Sequence, residues 1–150
     1  MRKILFVCHG NICRSPMAEM VMKHLVKMSG LQKEFFIESA ACRRDEIGSP
    51  IHRGTVSVLK EKGIEFTDHR AVLVKKDDFS FYDLIIAMDE ENIRDLTRLA
   101  DKDERYKIHK MLEYTGQTRD VADPWYTGNF EETWNDIYNG CKTLLESLKR

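Results

Sequence analysis

The stretch "ILFVCHGNICRSPMAE", residues 4–19, runs from five near-continuous apolar residues through a Gly-Asn turn into an arginine and a Ser-Pro. An unbroken apolar run such as "KILFV" (3–7) suits a strand buried on both faces. Ser15 and Pro16 suit an N-cap and a first helical turn, and Met17, Met20, Val21, His24, Leu25 and Met28 then recur at helical spacing until Gly30 stops them. A buried strand therefore reaches a helix through one short polar loop.

Working outward, the same alternation continues. "FFIESAA" (35–41) reads as a second strand, and "SPIHRGTVSVLKEKG" (49–63) as a helix opened by Ser-Pro and closed by glycine. "RAVLV" (70–74) and "YDLIIAMD" (82–89) are strand candidates, "EENIRDLTRLA" (90–100) is helical, and "YKIHKM" (106–111) is a weaker strand. In the last helix Phe130, Trp134, Ile137, Tyr138, Cys141, Leu144, Leu145 and Leu148 form one apolar stripe. Strands alternating with helices imply an α/β fold. The expectation is a single three-layer domain over residues 1–150, with a small, mostly parallel sheet of about four strands flanked by helices on both faces. In such open sheets ligands gather beyond the carboxyl ends of the strands, which is where Cys8 lies if "KILFV" is central.

The totals set outer bounds. An apolar content of 42 % and a charged content of 33 % describe a globular chain, and 150 residues suffice for one core. A net charge of −1 argues against nucleic acid as a partner, which needs a basic stripe, while leaving room for one locally positive site. "MRKILFV" begins like a leader peptide, but its apolar run stops at Cys8, and no segment is long enough to span a bilayer. A cytoplasmic protein with no membrane partner is expected, with Cys8, Cys13, Cys42 and Cys141 as reduced thiols. The absence of a C-x-x-C pair and the scattered histidines argue against a metal site.

The chemistry resides in the loop. Five residues separate Cys8 from Arg14. Four cysteines and eleven arginines in 150 residues give about 0.3 such pairs by chance, so the spacing alone is weak evidence. Its context is stronger. A loop between a strand and a helix start can turn successive N–H groups onto one anion, and Gly10 and Asn11 are residue types that accept positive φ. Arg14 adds a planar fork for two phosphate oxygens. A thiol at the base of such a loop sits in positive potential, which favours the thiolate, and Ser15 could donate to its sulfur. A thiolate beneath a bound phosphate is a nucleophile in line with phosphorus. Cleavage then needs an acid for the leaving oxygen, and "RDVADPWYTGNF" (119–130) offers Asp120 and Asp123 beside two aromatics.

"VCHGNICRSPMAE" (7–19) resembles the phosphate-binding loop of the low-molecular-weight protein tyrosine phosphatases, whose pattern is V-C-x-G-N-x-C-R-S-P-x-A-E. The likeness continues through "ESAA" (38–41), "DHRA" (68–71), "AMDEENIRDL" (87–96) and "DPWY" (123–126), in order and over the whole chain. The resemblance implies a metal-independent, cofactor-free protein-tyrosine phosphatase that hydrolyses phosphotyrosine and small aryl phosphates through a phosphocysteine. It implies Cys8 as nucleophile, Arg14 as phosphate-gripping residue and Asp123 as general acid. The loop His9, Gly10, Asn11, Ile12, Cys13, Arg14 and Ser15 would bind phosphate, with Ser15 steadying the thiolate. Ser39 and His69 match partners that hold Asn11, where the residues alone would suggest a strand-end cap and a surface histidine. Trp125 and Tyr126 match an aromatic wall, and Cys13 matches a cysteine that can form a protective disulfide with the nucleophile. The implied partners are phosphotyrosine proteins or peptides, with inorganic phosphate or vanadate as inhibitors, and a monomer is expected.

Two positions refine that expectation and one stretch departs from the pattern. Ile12 stands where relatives acting on phosphoarginine carry threonine, and its apolar lip favours an aromatic ring. His9 is an unusual occupant of the first loop position, where it could touch substrate. After "SAA", many relatives carry an aromatic on the next loop, but here it reads "CRRDEIG" (42–48), a charged loop whose Arg43 or Arg44 could favour acidic peptides. A protein-arginine phosphatase is one alternative. A thioredoxin-coupled arsenate reductase is another, but it needs two more cysteines near residues 80–90, which "SFYDLIIAMDE" lacks. A silent phosphate-binding module would need neither nucleophile nor acid.

Overall fold

In the computed structural model, which describes residues 1–149, a four-stranded, wholly parallel sheet has the order β2-β1-β3-β4. The strands are β1 (Arg2–Cys8), β2 (Phe35–Ala41), β3 (Leu84–Ala87) and β4 (Ile108–Lys110). The helices are α1 (Arg14–Met28), α2 (Arg53–Glu61), α3 (Asp78–Phe81), α4 (Glu90–Leu99), α5 (Pro124–Thr127) and α6 (Phe130–Leu148), with short 3₁₀ turns at Gln32–Glu34, Lys102–Lys107 and Met111–Thr115.

The apolar run of β1 puts it at the centre. Ile4, Phe6 and Cys8 face a core shared with Met17, Met20 and Val21 of α1 and Ile137, Cys141 and Leu144 of α6. Leu5 and Val7 face the other side, with Phe79 of α3 and Leu96 of α4. A strand alternating between two apolar cores requires helices on both faces. β1 pairs with β2 in the register Ile4↔Ile37 to Cys8↔Ala41, and with β3 from Ile4↔Leu84 to Val7↔Ala87. The carboxyl ends of β1 and β3 therefore lie side by side, where the strand order reverses.

Three local expectations need correction. "RAVLV" (70–74) is not a strand of the sheet. It makes isolated bridges, Leu73 to Ala41 and Arg70 to Pro50, because it crosses the end of β2 and sends the Val72 amide to a side chain, Asn11. The first helix opens two residues early, at Arg14 behind Cys13, and Ser15 does not cap it because its hydroxyl points to Cys8. The second helix opens at Arg53, capped by His52, whose Nδ1 accepts from the Gly54 amide at 3.0 Å. Its Ser49-Pro50 start is drawn instead into the bridge with Arg70.

Candidate active site

The loop after β1 is tied down by backbone hydrogen bonds. The amides of Cys42 and Arg43 donate to the carbonyls of Cys8 and His9 (2.9 and 3.0 Å), and the His52 amide donates to the carbonyl of Ile12 (2.8 Å). Of Gly10 and Asn11, only Asn11 takes a positive φ, 60°. Its side chain holds it there. Asn11 Oδ1 accepts from the Val72 amide (3.2 Å) and lies 2.8 Å from His69 Nε2, while Asn11 Nδ2 donates to Ser15 Oγ (2.7 Å) and Ser39 Oγ (3.0 Å). The backbone donor fixes which end of the amide is oxygen, so His69 Nε2 must carry a proton.

These directions propagate. Ser15 Oγ already accepts from Asn11, so its single proton is free for Cys8 Sγ, 3.1 Å away, and the Ser15 amide approaches the same sulfur at 3.4 Å. Ser39 likewise accepts from Asn11 and donates to Glu19 Oε1 at 2.6 Å, and Lys23 Nζ donates to Glu19 Oε2 at 2.6 Å. Burial lowers the pKa of His69 below the ordinary value of 6.5; Lys23 lowers it further, and Glu19 opposes them. A neutral ring with its proton on Nε2 fits that direction.

Arg14 is 2 % exposed. Its Nη1 donates to Asp89 Oδ2 (2.8 Å) and to the Val121 carbonyl (2.9 Å), and Nη2 donates to Asp123 Oδ2 (3.3 Å). Burial works against its charge, but Cys8, Asp123 and Asp89 outweigh it and raise its pKa above the ordinary arginine value. Arg14 Nε has no acceptor among the described residues. A buried guanidinium N–H facing a cleft fits an oxyanion.

Asp123 caps α5: its Oδ1 accepts from the Trp125 amide at 3.0 Å while Oδ2 faces Arg14. Trp125 is backed by His52, ring centroids 5.7 Å apart, and His52 stacks on Phe130 at 5.3 Å. Asp120, the other acid candidate, is engaged elsewhere, accepting from Lys110 Nζ and the Glu90 amide.

Cys8, His9, Gly10, Ile12, Cys13, Arg14, Asp123, Trp125 and Tyr126 line one open cleft together with Asp45 and Glu46. Asn11 and Ser15, grouped in sequence with the phosphate-binding residues, are fully buried and face inward. The His9 imidazole is held by carboxylates, Asp45 at 2.6 Å and Glu91 at 3.5 Å. Burial alone would lower its pKa, but those two hydrogen bonds raise it above 6.5. Arg43 makes a two-pronged contact with Asp95 (2.9 and 3.0 Å) and does not line the cleft. Burial, reinforced by Cys8 and Asp123, pushes the Cys13 thiol up to about 12.

Sequence reasoning missed Asp89, Glu19, Asp45 and Glu46. Asp89 was findable: a carboxylate just past β3, at the point where strand order reverses, must face the loop after β1.

The fold and site define an α/β protein with an amide-lined anion loop, a thiol at its base, a guanidinium beside it and a carboxylate across from it. Residues 3–150 match the family model described as low molecular weight phosphotyrosine protein phosphatase. The chain is 42 % identical over 152 residues to the low molecular weight protein-tyrosine-phosphatase YfkJ of Bacillus subtilis, covering all of this chain and 97 % of that one. The YfkJ crystal structure superposes with a TM-score of 0.96 over 99 % of this chain and 95 % of that one. The low molecular weight phosphotyrosine protein phosphatase of Gallus gallus is 39 % identical over 150 residues, with 97 % and 94 % covered. A low molecular weight protein tyrosine phosphatase from Streptococcus pyogenes superposes at 0.89 with 41 % identity, over 99 % and 93 %. The chain belongs to the low molecular weight phosphotyrosine protein phosphatase family.

Proposed function

We propose that this chain is a protein-tyrosine phosphatase that works through a phosphocysteine. The observation that carries the reading is the Cys8 sulfur, which receives a hydroxyl and an amide from Ser15 at the floor of the cleft that Arg14 and Asp123 also line.

The substrate phosphate lies on the loop amides, with Arg14 Nε and Nη2 gripping two of its oxygens. Cys8 Sγ attacks phosphorus from below; the S–P bond forms as the P–O bond to the phenol breaks. Asp123 gives its proton to the departing oxygen. Asp123 then takes a proton from water, which attacks phosphorus, breaks the S–P bond and releases inorganic phosphate. Ser15 steadies the sulfur as it leaves. The positive charge that balances the transition state comes from Arg14 and the amides. Ile12, 8 % exposed, gives an apolar lip for an aryl ring, with Trp125 and Tyr126 beside it. Cys13 lines the same cleft, which supports it as the thiol that would attack a Cys8 sulfenic acid, forming a disulfide and releasing water. The substrates are phosphoproteins or phosphopeptides, and phosphate and vanadate compete for the loop. Free thiols at Cys8 and Cys13 suit a reducing compartment such as the cytoplasm. Among the described residues, no helix is long and apolar enough to cross a membrane.

The test is rapid-quench turnover of p-nitrophenyl phosphate with trapping and mapping of the phosphoenzyme. A burst stoichiometric with enzyme, label on Cys8, and no loss of rate with a chelator are expected. C8S should lose turnover while vanadate still binds. Label on another residue, appreciable turnover by C8S, or a strong preference for phosphoarginine over phosphotyrosine peptides would overturn the reading.

A further inference from the structure

The segment after β2 supplies the cleft with two carboxylates where an aromatic could have stood. Asp45 is fixed by its 2.6 Å contact with His9 of the phosphate loop. Glu46 lies against the loop itself, its Cγ 3.4 Å and Cβ 3.6 Å from where a Cβ on Gly10 would fall, and its Oε2 accepts from Ser49 Oγ at 3.0 Å. Glu91 stands behind His9 at 3.5 Å. Neither Arg43 nor Arg44 lines the cleft, and Arg43 is spent on Asp95. The deep end of the same cleft is cationic, with Arg14 Nε lacking an acceptor among the described residues.

We propose that Asp45 and Glu46 are specificity-determining residues that select phosphotyrosine segments carrying a lysine or arginine next to the phosphorylated residue. The proposal rests on the phosphatase reading and names the substrate class for that site. The phosphate dianion meets Asp45 and Glu46 in every substrate, so that repulsion does not discriminate. The flanking residue does. A cation there is attracted to the two carboxylates, whereas a glutamate adds a third negative charge to the same lip. Exposed pairs of this kind are each worth about 1.5- to fivefold in affinity, and opposite flanking charges act on the ratio from both sides.

The experiment compares three phosphotyrosine peptides identical except for Lys, Ala or Glu on either side of the phosphorylated residue, with p-nitrophenyl phosphate alongside. At low salt, kcat/KM should fall in the order Lys, Ala, Glu, with the Lys-to-Glu ratio about two- to twenty-five-fold. The ratio should shrink as salt screens the lip. In the D45N/E46Q double variant it should approach one. A ratio cancels any loss of folded enzyme, because both peptides see the same active fraction. A wild-type ratio near one, or a ratio unchanged in the double variant, would overturn the proposal while p-nitrophenyl phosphate turnover leaves the phosphatase reading standing. Failure to turn over any of the four substrates would overturn both.

Discussion

A single side chain, Asn11, dictates where the protons in the floor of the site point. Its amide donates to Ser15 and Ser39, so each hydroxyl must send its own proton onward, Ser15 to the Cys8 sulfur and Ser39 to Glu19. Asp123 plays a comparable double part, since one oxygen caps α5 and the other faces Arg14. That separation shapes its test. D123N keeps an oxygen for the cap and removes both the ionisable group and the charge that faces Arg14 Nη2, so it should retain the α5 cap that D123A loses. Its kcat on a substrate with a poor leaving group should drop by about 10²–10⁴, the usual worth of a positioned acid. D123A should lose the same in kcat and, in addition, about 1 kcal/mol of stability from the missing cap. Across a series of aryl phosphates the loss should shrink as the leaving phenol becomes more acidic. A constant loss would remove Asp123 from the proton transfer.

At the scale of elements, the aromatic wall depends on how closely α2 and α6 approach. A Cβ on Gly54 would fall 2.4–2.7 Å from three ring atoms of Phe130, and that ring stacks on His52, which backs Trp125. G54A should therefore push Phe130 outward and cost about 1–3 kcal/mol, as overpacking does. The melting temperature should fall by roughly 2–4 °C per kcal/mol. Trp125 fluorescence should shift with it, because the wall moves; an unchanged Tm and spectrum would mean that the two helices are free to part. This dependence also marks what could be read from the chain and what could not. β1 was legible as an unbroken apolar run buried on both faces, and α6 as an apolar stripe at helical spacing. The 70–74 segment has the same β-rich composition, but its backbone is spent on Ala41 and on Asn11, partners distant in sequence. In the site, Cys8, Arg14 and Asp123 stood out through local spacing and family likeness. Asp45 and Glu46 read as solvated charges, because only the folded loop shows what they lie against.

For the molecule as a whole, two histidines tie stability to pH with opposite signs. The pKa of His9 is raised above 6.5, so its contacts with Asp45 and Glu91 stabilise the fold fully below 6.5, and that stability is lost as pH rises through the folded value. The pKa of His69 is lowered, chiefly by burial. The unfolded chain then binds the proton more readily, so the contribution of His69 is complete above 6.5 and is lost as pH falls through its folded value. His69 is the more enclosed, its side chain 10 % exposed against 35 % for His9, and solvent screens its contribution less. It should therefore dominate the acid side. Denaturant unfolding of the wild type should show stability rising with pH just below 6.5, by at most about 1.4 kcal/mol per pH unit from this one group. H69Q can still donate to Asn11 Oδ1 but cannot titrate, so the same stretch of its profile should flatten whatever its absolute stability. H9Q should leave that acid slope in place and remove instead a decline on the alkaline side. Two parallel acid slopes in H69Q and wild type would show that the proton taken up on unfolding belongs to another group.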